Sequence, residues 1–506
     1  MKKKNKIIEF IKNNWYFTLL IIPFILFCIR NKTPDNDIWF LMNNGRYVLN
    51  NGIPHVDPFT IHEGLHYVMQ QWLSSVIFYI VFNMFGKYGL LFFMYIIFIL
   101  IVIIYYKLCY LLSKNSVLSI VITTIILSFL DVYLVTRPQV FTYIILLLET
   151  YSLELYIKKD NWKYLIILPI LSILQINLHA SMWFMQFVFI LPFLVNSLNI
   201  NGVSIDKIKI KPLLIVMVIM LLSGFINPYG LEAITYIFKS YGDSDINLNI
   251  VEMEEATISF FYFKSCVVML LLLLIYFAKN KNNKIDIRYL LFIIGTFILA
   301  TKHRKCSVYF ILWYGYAISS FLKIKLKNNK LLMVGKRLVI ILSIFLLLSL
   351  PSLISMNYKN YSMSTSDVEK SVNYIIKNYD PNKVRLFIDF RNGGYSEYYG
   401  LKSYIDSRAE LFLKTHNGKS DIYSDSVSMS SYSYNFNFKK FIKLYDFTHI
   451  IVNYDNGLYK YLEDNKTNYT LEYTEYFDIE HKFATSKLYV RNDISKKYRK
   501  EHRSEK

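Results

Sequence analysis

The densest run of reactive side chains lies early in the chain: Asp35, Asp37, Trp39 and Gly45-Arg46, then Pro54-His55-Val56-Asp57-Pro58. Asp35 and Asp37 follow directly on an apolar stretch. A carboxylate at that depth, partly desolvated and facing a cavity, suits a general base or a group that orients an acceptor hydroxyl. A solvated helix cap is the plainer reading, because Thr33-Pro34-Asp35 has the form of a helix start. Asn51-Gly52 and Asp57-Pro58 are turn signals. A second cluster is cationic, Lys302-His303-Arg304-Lys305, and suits a phosphate or pyrophosphate group; an exposed loop with snorkelling side chains is its bland alternative. Arg137 could bind phosphate, with Pro138 in the first turn of the helix that follows. His179 could hydrogen-bond a sugar, assist a proton transfer, or be an interfacial histidine beside Trp183. Asp243, Asp245, Glu252, Glu254 and Glu255 offer oxygen ligands for a divalent ion, or form an ordinary solvated acidic loop.

These residues must be held by apolar helices. Of 506 residues, 54% are apolar and only 19% charged, with a mean hydropathy of +0.30. A soluble domain carries about 25% charged residues. Here the apolar residues gather in blocks near the roughly 20 residues that cross a bilayer. A soluble globular enzyme, a disordered chain and a fibrous chain are excluded. Cys28, Cys109, Cys266 and Cys306 are scattered, which excludes a disulfide scaffold or a CxxC metal site.

Eleven spans are expected, near 15–30, 89–107, 117–135, 138–157, 164–180, 181–199, 212–226, 258–278, 288–301, 306–323 and 337–356. The run 71–86 opens with Gln71-Trp72, ends at Gly86-Lys87-Tyr88-Gly89, and reads as an amphipathic helix in the interface. With Lys2, Lys3, Lys4 and Lys6 in the cytoplasm, alternation puts every other lysine-rich connection on the same side, around Lys107, Lys158, Lys209, Lys281 and Lys325. The net charge, 57 − 37 = +20, is therefore largely topological, and no nucleic-acid partner is expected. Lys302–Lys305 alone breaks the pattern. Asp131, Arg137, His179 and the acidic loop then emerge on the outer face with the first loop, as one outward-facing site would require.

An odd number of spans leaves the C-terminal part outside. The expected organisation is a membrane domain over 1–356, with a first outer loop at 31–88, an extracytoplasmic α/β domain over 357–495, and a basic tail, 496–506. Strands are expected at Val384–Asp389, Lys402–Ile405, His449–Asn453 and Lys487–Val490, and helices near 366–379 and 437–446. Arg391-Asn392-Gly393-Gly394 reads as a tight turn after a strand, and Asp406 and Arg408 as an ion pair. The nucleotide-binding patterns GxGxxG and GxxxxGK[ST] are absent.

The order of these features resembles the GT-C superfamily of integral-membrane glycosyltransferases. Their shared features are a long first outer loop, an acidic residue after the first span, a Gly-Arg pair, a proline turn and an interfacial helix. The pattern DxW…GRyVLnnGIPHvDPFT…QqWL is similar to a large bacterial family of GT-C-like proteins. Further matches are Arg137-Pro138-Gln139, Asn177-Leu178-His179, Asn227-Pro228-Tyr229-Gly230, Lys302-His303-Arg304, Gly393-Gly394-Tyr395 and Ile405-Asp406-Ser407-Arg408-Ala409-Glu410-Leu411. Ala180 departs from the family glycine, and Glu252-Met253-Glu254-Glu255 from its acidic-aromatic pair. By its place before Trp39, Asp37 matches the family aspartate better than Asp35.

The resemblance implies an α-helical polytopic GT-C-like protein of about eleven spans in a bacterial plasma membrane, its N-terminus cytoplasmic and its C-terminal α/β domain extracytoplasmic. It implies an inverting transferase that moves a sugar from a polyprenyl-phosphate donor to a cell-surface glycan, lipid or protein. Asp37 or Asp35 would be the base. Arg304, Lys302, His303 and Arg137 would hold the donor phosphate. Arg46, His55, Asp57, Gln71, Gln139, His179, Glu252 and Glu254 would meet substrate. A divalent ion is possible. A flippase for lipid-linked saccharides, or a non-catalytic relative that binds a glycan or partner, are the alternatives.

Overall fold

A computed structural model describes residues 34–198, 200, 204–240, 250–280, 286–322, five positions between 337 and 348, 368–430, 436–453, 457–464, 467–476 and 484–501. The chain forms two compact units. One takes in Lys87–Ile237 and Asn247–Tyr361; the other takes in Pro34–Gly86 and Ser362–Lys506.

The first unit is helical. Nine of the eleven expected spans coincide with helices or parts of them, from the later part of Trp72–Ser113 to Ser307–Phe321. The segments 15–30 and 337–356 lie outside the described residues or are described only at isolated positions. Among the described residues, four helices are long and apolar enough to cross a membrane: Trp72–Ser113, Gln139–Lys159, Ala180–Ser197 and Phe261–Lys279. The expected count of eleven is thus not confirmed among the described residues. Ser116–Ser128 has 13 residues, Ile210–Ser223 has 14 and Ser307–Phe321 has 15. At 1.5 Å per residue these fall short of roughly 30 Å of hydrocarbon. Polar, irregular ends shorten them: the expected span 117–135 stops at Ser128, where the backbone enters the turns that lead to Arg137 and Pro138.

The interior of this unit is not purely apolar. Gln139–Lys159 buries Thr142, Glu149, Thr150 and Glu154 along its length. Gln186 donates to Glu149 Oε2 at 3.1 Å, and Trp313 to Thr150 at 3.3 Å. Arg288, wholly buried, donates to Glu154 at 3.0 Å, to Asp286 at 2.5 Å and to Asp206 at 2.7 Å, and Lys158 adds a second cation to Asp206 at 2.8 Å. Helices approach closely where a glycine permits it. A Cβ on Gly315 would collide with the Tyr105 hydroxyl, which donates to Leu312 O at 2.7 Å. Outside, Leu271, Leu272, Leu274 and Ile275 of Phe261–Lys279 are all more than half exposed, as a lipid-facing stripe would be.

The second unit carries a four-stranded sheet in the order β1-β2-β4-β3, with β1 Leu386–Phe387, β2 His449–Asn453, β3 Tyr469–Tyr476 and β4 Ala484–Arg491. β1 and β2 are parallel, and the other pairs antiparallel. β2 lies inside, and its Ile-Ile-Val run is buried throughout, as a central strand covered on both faces demands. The edge continues beyond β1 through chain-distant partners: Ser403 bridges Leu386 on one side and Thr60 on the other, both in parallel. Ile61 N donates to Ser403 O at 2.9 Å. The first-loop segment thus extends the sheet of the C-terminal residues. The expected strand at 402–405 shrinks to the bridges at Ser403, β3 was not expected at all, and Lys496–Glu501 is a helix where a tail was expected.

Gly86 interrupts Trp72–Ser113 with φ 62° and ψ −158°. Only glycine adopts that conformation freely. The break falls where the sequence separated an interfacial helix from a span.

Candidate functional site

Within the helical unit, the cationic cluster and the acidic loop are laced together. Ile287–Lys302 ends at His303, whose backbone is extended, and the chain turns into Ser307–Phe321. Ala256 N donates to Thr301 O at 3.0 Å, Arg304 N to Glu254 O at 3.0 Å, and Lys305 N to Glu252 O at 3.1 Å. The His303 ring nitrogen Nδ1 lies 2.7 Å from Met253 O. On this backbone frame the charges pair one to one. Arg137 meets Glu252 at 2.7 Å, Arg304 meets Glu254 at 2.7 Å, and Lys302 meets Glu255 at 3.2 Å. Arg304 is a quarter exposed, and its guanidinium stands 5.8 Å from the Phe260 ring. Its Nε is buried with no hydrogen-bond partner among the described residues. A buried donor without an acceptor costs about 1–3 kcal/mol, so an anion able to reach it would be favoured.

The structure therefore brings together Arg137, Lys302, His303, Arg304, Glu252 and Glu254. It gives the two glutamates a different first role from substrate contact, since each already carries a cation. Asp243 and Asp245 lie outside the described residues, and among the described residues no group of three His, Cys, Asp or Glu could hold a metal ion. His179 lies in the interior, 6% exposed, with Nδ1 2.9 Å from Thr142 Oγ1; Gln175 bridges Thr142 and the His179 carbonyl. Gln139 opens the helix Gln139–Lys159 behind Pro138. Asp131, on the turn before Arg137, accepts from Tyr262 at 2.7 Å. Two family-like motifs meet here through the backbone: Asn177 donates to Ile226 O at 2.8 Å, and Asn227 closes its own turn onto Gly224 and Gly230.

Within the sheet-bearing unit, the first-loop residues surround the helix Ile38–Asn51. Asp35 accepts from Asp37 N at 3.0 Å, and the helix starts at the next residue, so both carboxylates sit at its N-terminal end. The helix dipole favours negative charge there. Trp39, 3% exposed, stands edge-on to Tyr395 at 5.0 Å and tilted against Tyr398 at 5.2 Å. Phe40 lies on Gly394, where a Cβ would come within 3.0 Å of the Phe40 backbone and Cβ. Gly393 is pressed on Ile405 O with no room for a side chain. The Gly-Gly-Tyr motif is thereby explained as a close approach. Arg46 donates to Asn43 at 2.7 Å and to Tyr398 O at 2.8 Å, and lies over the Tyr398 ring at 4.7 Å.

His55 is exposed and Gln71 half-buried. Asp57 is not open to a ligand: its side chain is wholly buried, Oδ1 accepts from Arg408 at 2.6 Å, and Oδ2 accepts from the Thr60 N–H and hydroxyl. Arg408 also grips Asp406 through Nε at 3.0 and 2.9 Å and through Nη2, and reaches Glu397 at 3.5 Å. The Asp406–Arg408 pair was expected; Glu397 and the tie to Asp57 were missed, and no local pattern marks them. Burial pushes the Glu397 carboxyl well above its ordinary range, with the neighbouring Asp406 adding to the effect. Burial opposes charge on Arg408, but Asp406 and Asp57 outweigh it and hold the guanidinium firmly protonated. His62, whose Nε2 lies 2.7 Å from Tyr404 O, is pushed down by burial and is neutral at pH 7.

No family model and no curated protein matches the sequence. Solved structures do match. The oligosaccharyltransferase of Archaeoglobus fulgidus, crystallised with a tethered acceptor peptide containing an NVT sequon, superposes with a TM-score of 0.57 at 11% identity, over 88% of this chain and 70% of that one. Its apo form gives 0.53 at 12% identity, over 87% and 70%. Its complex with zinc and sulfate gives 0.53 at 13%, over 86% and 68%. At such identities the likeness is one of fold, which this chain shares with that oligosaccharyltransferase over most of its length.

Proposed function

We propose that the chain is a membrane glycosyltransferase that moves a sugar from a polyprenyl-phosphate carrier to a cell-surface glycan, lipid or protein on the outer face of a bacterial plasma membrane. The observation that carries this reading is the anion-ready Arg304, with its buried, unaccepted Nε–H, on a fold like that of an oligosaccharyltransferase. Arg304, Lys302 and Arg137 take the donor phosphate, exchanging Glu254, Glu255 and Glu252 for its oxygens. Asp37, with Asp35 as its neighbour, accepts the proton of the acceptor hydroxyl. That oxygen bonds to the anomeric carbon as the carbon–oxygen bond to the phosphate breaks. The electron pair leaves on the phosphate, where the cations stabilise it, and the anomeric centre inverts. Asp57 and Arg46, in this reading, hold the loop and do not touch substrate. His55 and Gln71 remain candidates for acceptor contact.

Purified protein supplied with labelled polyprenyl-phosphate sugars provides the test, read as release of free polyprenyl phosphate. Release by the wild type, lost in both Asp37→Asn and Arg304→Ala, supports the assignment; full release by either variant removes that residue from its role. Transport of a lipid-linked saccharide is the second reading, favoured by one observation. Glu149 sits midway along the candidate span Gln139–Lys159, buried, with Oε1 unpartnered among the described residues. Ionisable groups inside a bilayer commonly serve transport. Movement of the lipid across vesicles without release of sugar, lost in Glu149→Gln, would favour it.

A further inference from the structure

Arg408 and its neighbours form a closed electrostatic group inside the sheet-bearing unit. Asp57, Asp406 and Glu397 are at most 1% exposed at the side chain, and Arg408 is 5% exposed. Three carboxylates face one guanidinium, so with all three ionised the group would carry −3 + 1 = −2 in a low-dielectric setting. Among the described residues no second cation pairs with the three acids: the ring of Tyr67 lies 4.9 Å from the guanidinium carbon and that of Phe59 5.2 Å, and His62, beyond Asp57, is lowered by burial and feels the charge of Arg385. The three acids are not equally served. Asp406 has a bidentate hold and Asp57 a 2.6 Å bond plus two donors from Thr60, whereas Glu397 has only a 3.5 Å contact to Arg408. Its other oxygen accepts from the Ser403 hydroxyl at 2.5 Å. Glu397 is the acid that keeps a proton.

This group grips the helix that begins at Asp37 by two routes. Glu397 belongs to Gly393–Tyr398, the short helix whose Gly394 and Tyr395 pack on Phe40 and Trp39. Tyr67, under the guanidinium, accepts a hydrogen bond from Asn44 at 2.8 Å, two turns further along Ile38–Asn51. Thr60 and Ile61, next to Asp57, are sewn to Ser403, the partner of Glu397. We infer that Arg408 is a positioning residue for the Asp35–Asp37 end of the first-loop helix, within a clamp that stays closed while Glu397 carries a proton. Raising the pH through the elevated folded range of this carboxyl removes the proton, leaves a second uncompensated charge, and loosens the hairpin 55–67. The positioning role rests on the reading of Asp37 as the base.

The test uses the full-length protein in detergent or nanodiscs, and compares wild type with Glu397→Gln at each pH so that intrinsic exchange chemistry cancels. Hydrogen exchange of residues 38–67 should accelerate at least tenfold more in the wild type than in Glu397→Gln between pH 6 and 9. Donor turnover should lose kcat over the same window in the wild type, with the KM for donor unchanged, and hold level in the variant. Ser403→Ala, which removes the hydroxyl that donates to the Glu397 carboxylate and favours its charged form, supplies a second variant and should move the loss to higher pH. Wild-type exchange that tracks Glu397→Gln at every pH would overturn the clamp. A pH-dependent clamp without turnover under any condition would leave the clamp standing and overturn the catalytic reading beneath the positioning role.

Discussion

Arg288 and Arg408 are both buried guanidiniums facing three carboxylates, one in each unit, yet their surroundings differ. Around Arg288 the acids are Glu154, Asp206 and Asp286, and Lys158 reaches Asp206, which is 28% exposed. Two cations and an opening to solvent leave that group at about −1 with water at hand. Around Arg408 there is no second cation among the described residues and no comparable opening. A protein has two ways to stabilise surplus buried acid: bring a further base with some water, or retain a proton. The Arg288 group takes the first way and the Arg408 group the second. The Arg304 region is a third case, with partly exposed pairs at one cation per acid, and of the three it is the one where a ligand's charge can displace the partner at small cost.

Breaking each arrangement should separate them. Arg408→Leu leaves three buried acids with no base and should lower the stability of its unit by about 3–5 kcal/mol, read by chemical unfolding. Arg288→Leu should fall at the lower end of the same range, because Lys158 remains and Asp206 can meet water. Arg304→Ala should leave stability nearly unchanged while lowering donor turnover by about 10²–10³-fold, the range for removing a group that stabilises developing negative charge.

Glu397→Gln should act through pH. The Glu397 carboxyl is raised in the folded state, so the stability it lends is full below the ordinary carboxylate range and is lost as pH rises through the folded value. At neutral and alkaline pH the variant should therefore melt above the wild type, with a flatter dependence of Tm on pH. Lys302→Ala should be the smallest effect, within about 1 kcal/mol in stability, because its pair with Glu255 is exposed.

What could be read in advance follows the range of the interactions. Helix positions come from local runs of apolar residues, and nine segments fell where the hydropathy put them; β2 matched from His449 to Asn453. The count of eleven spans is not confirmed among the described residues, because apolar composition does not reveal where a turn such as 128–138 cuts a helix short. β3 was overlooked although Tyr-Thr-Leu-Glu-Tyr-Thr-Glu-Tyr is rich in strand formers, since its half-buried faces lack an apolar alternation. In the site, the Arg304 cluster was legible because it opposes the charge pattern of the other loops. The partner of Asp57 lies 351 residues away, and no spacing rule reaches that far. The acidic loop suggested a metal by composition, whereas its described glutamates answer to Arg137, Arg304 and Lys302.

The parallel bridge that joins Thr60 to Ser403, and Ser403 to Leu386, also has a temporal meaning. A ribosome that adds about 5–20 residues per second delivers Arg408 some 20–70 s after Asp57. For that interval the hairpin has neither its sheet partner nor its countercharge, and its aspartate must stay hydrated. The nascent chain therefore passes through a long stage in which the first loop is open to proteases and chaperones, and it closes only once Arg408 has been made.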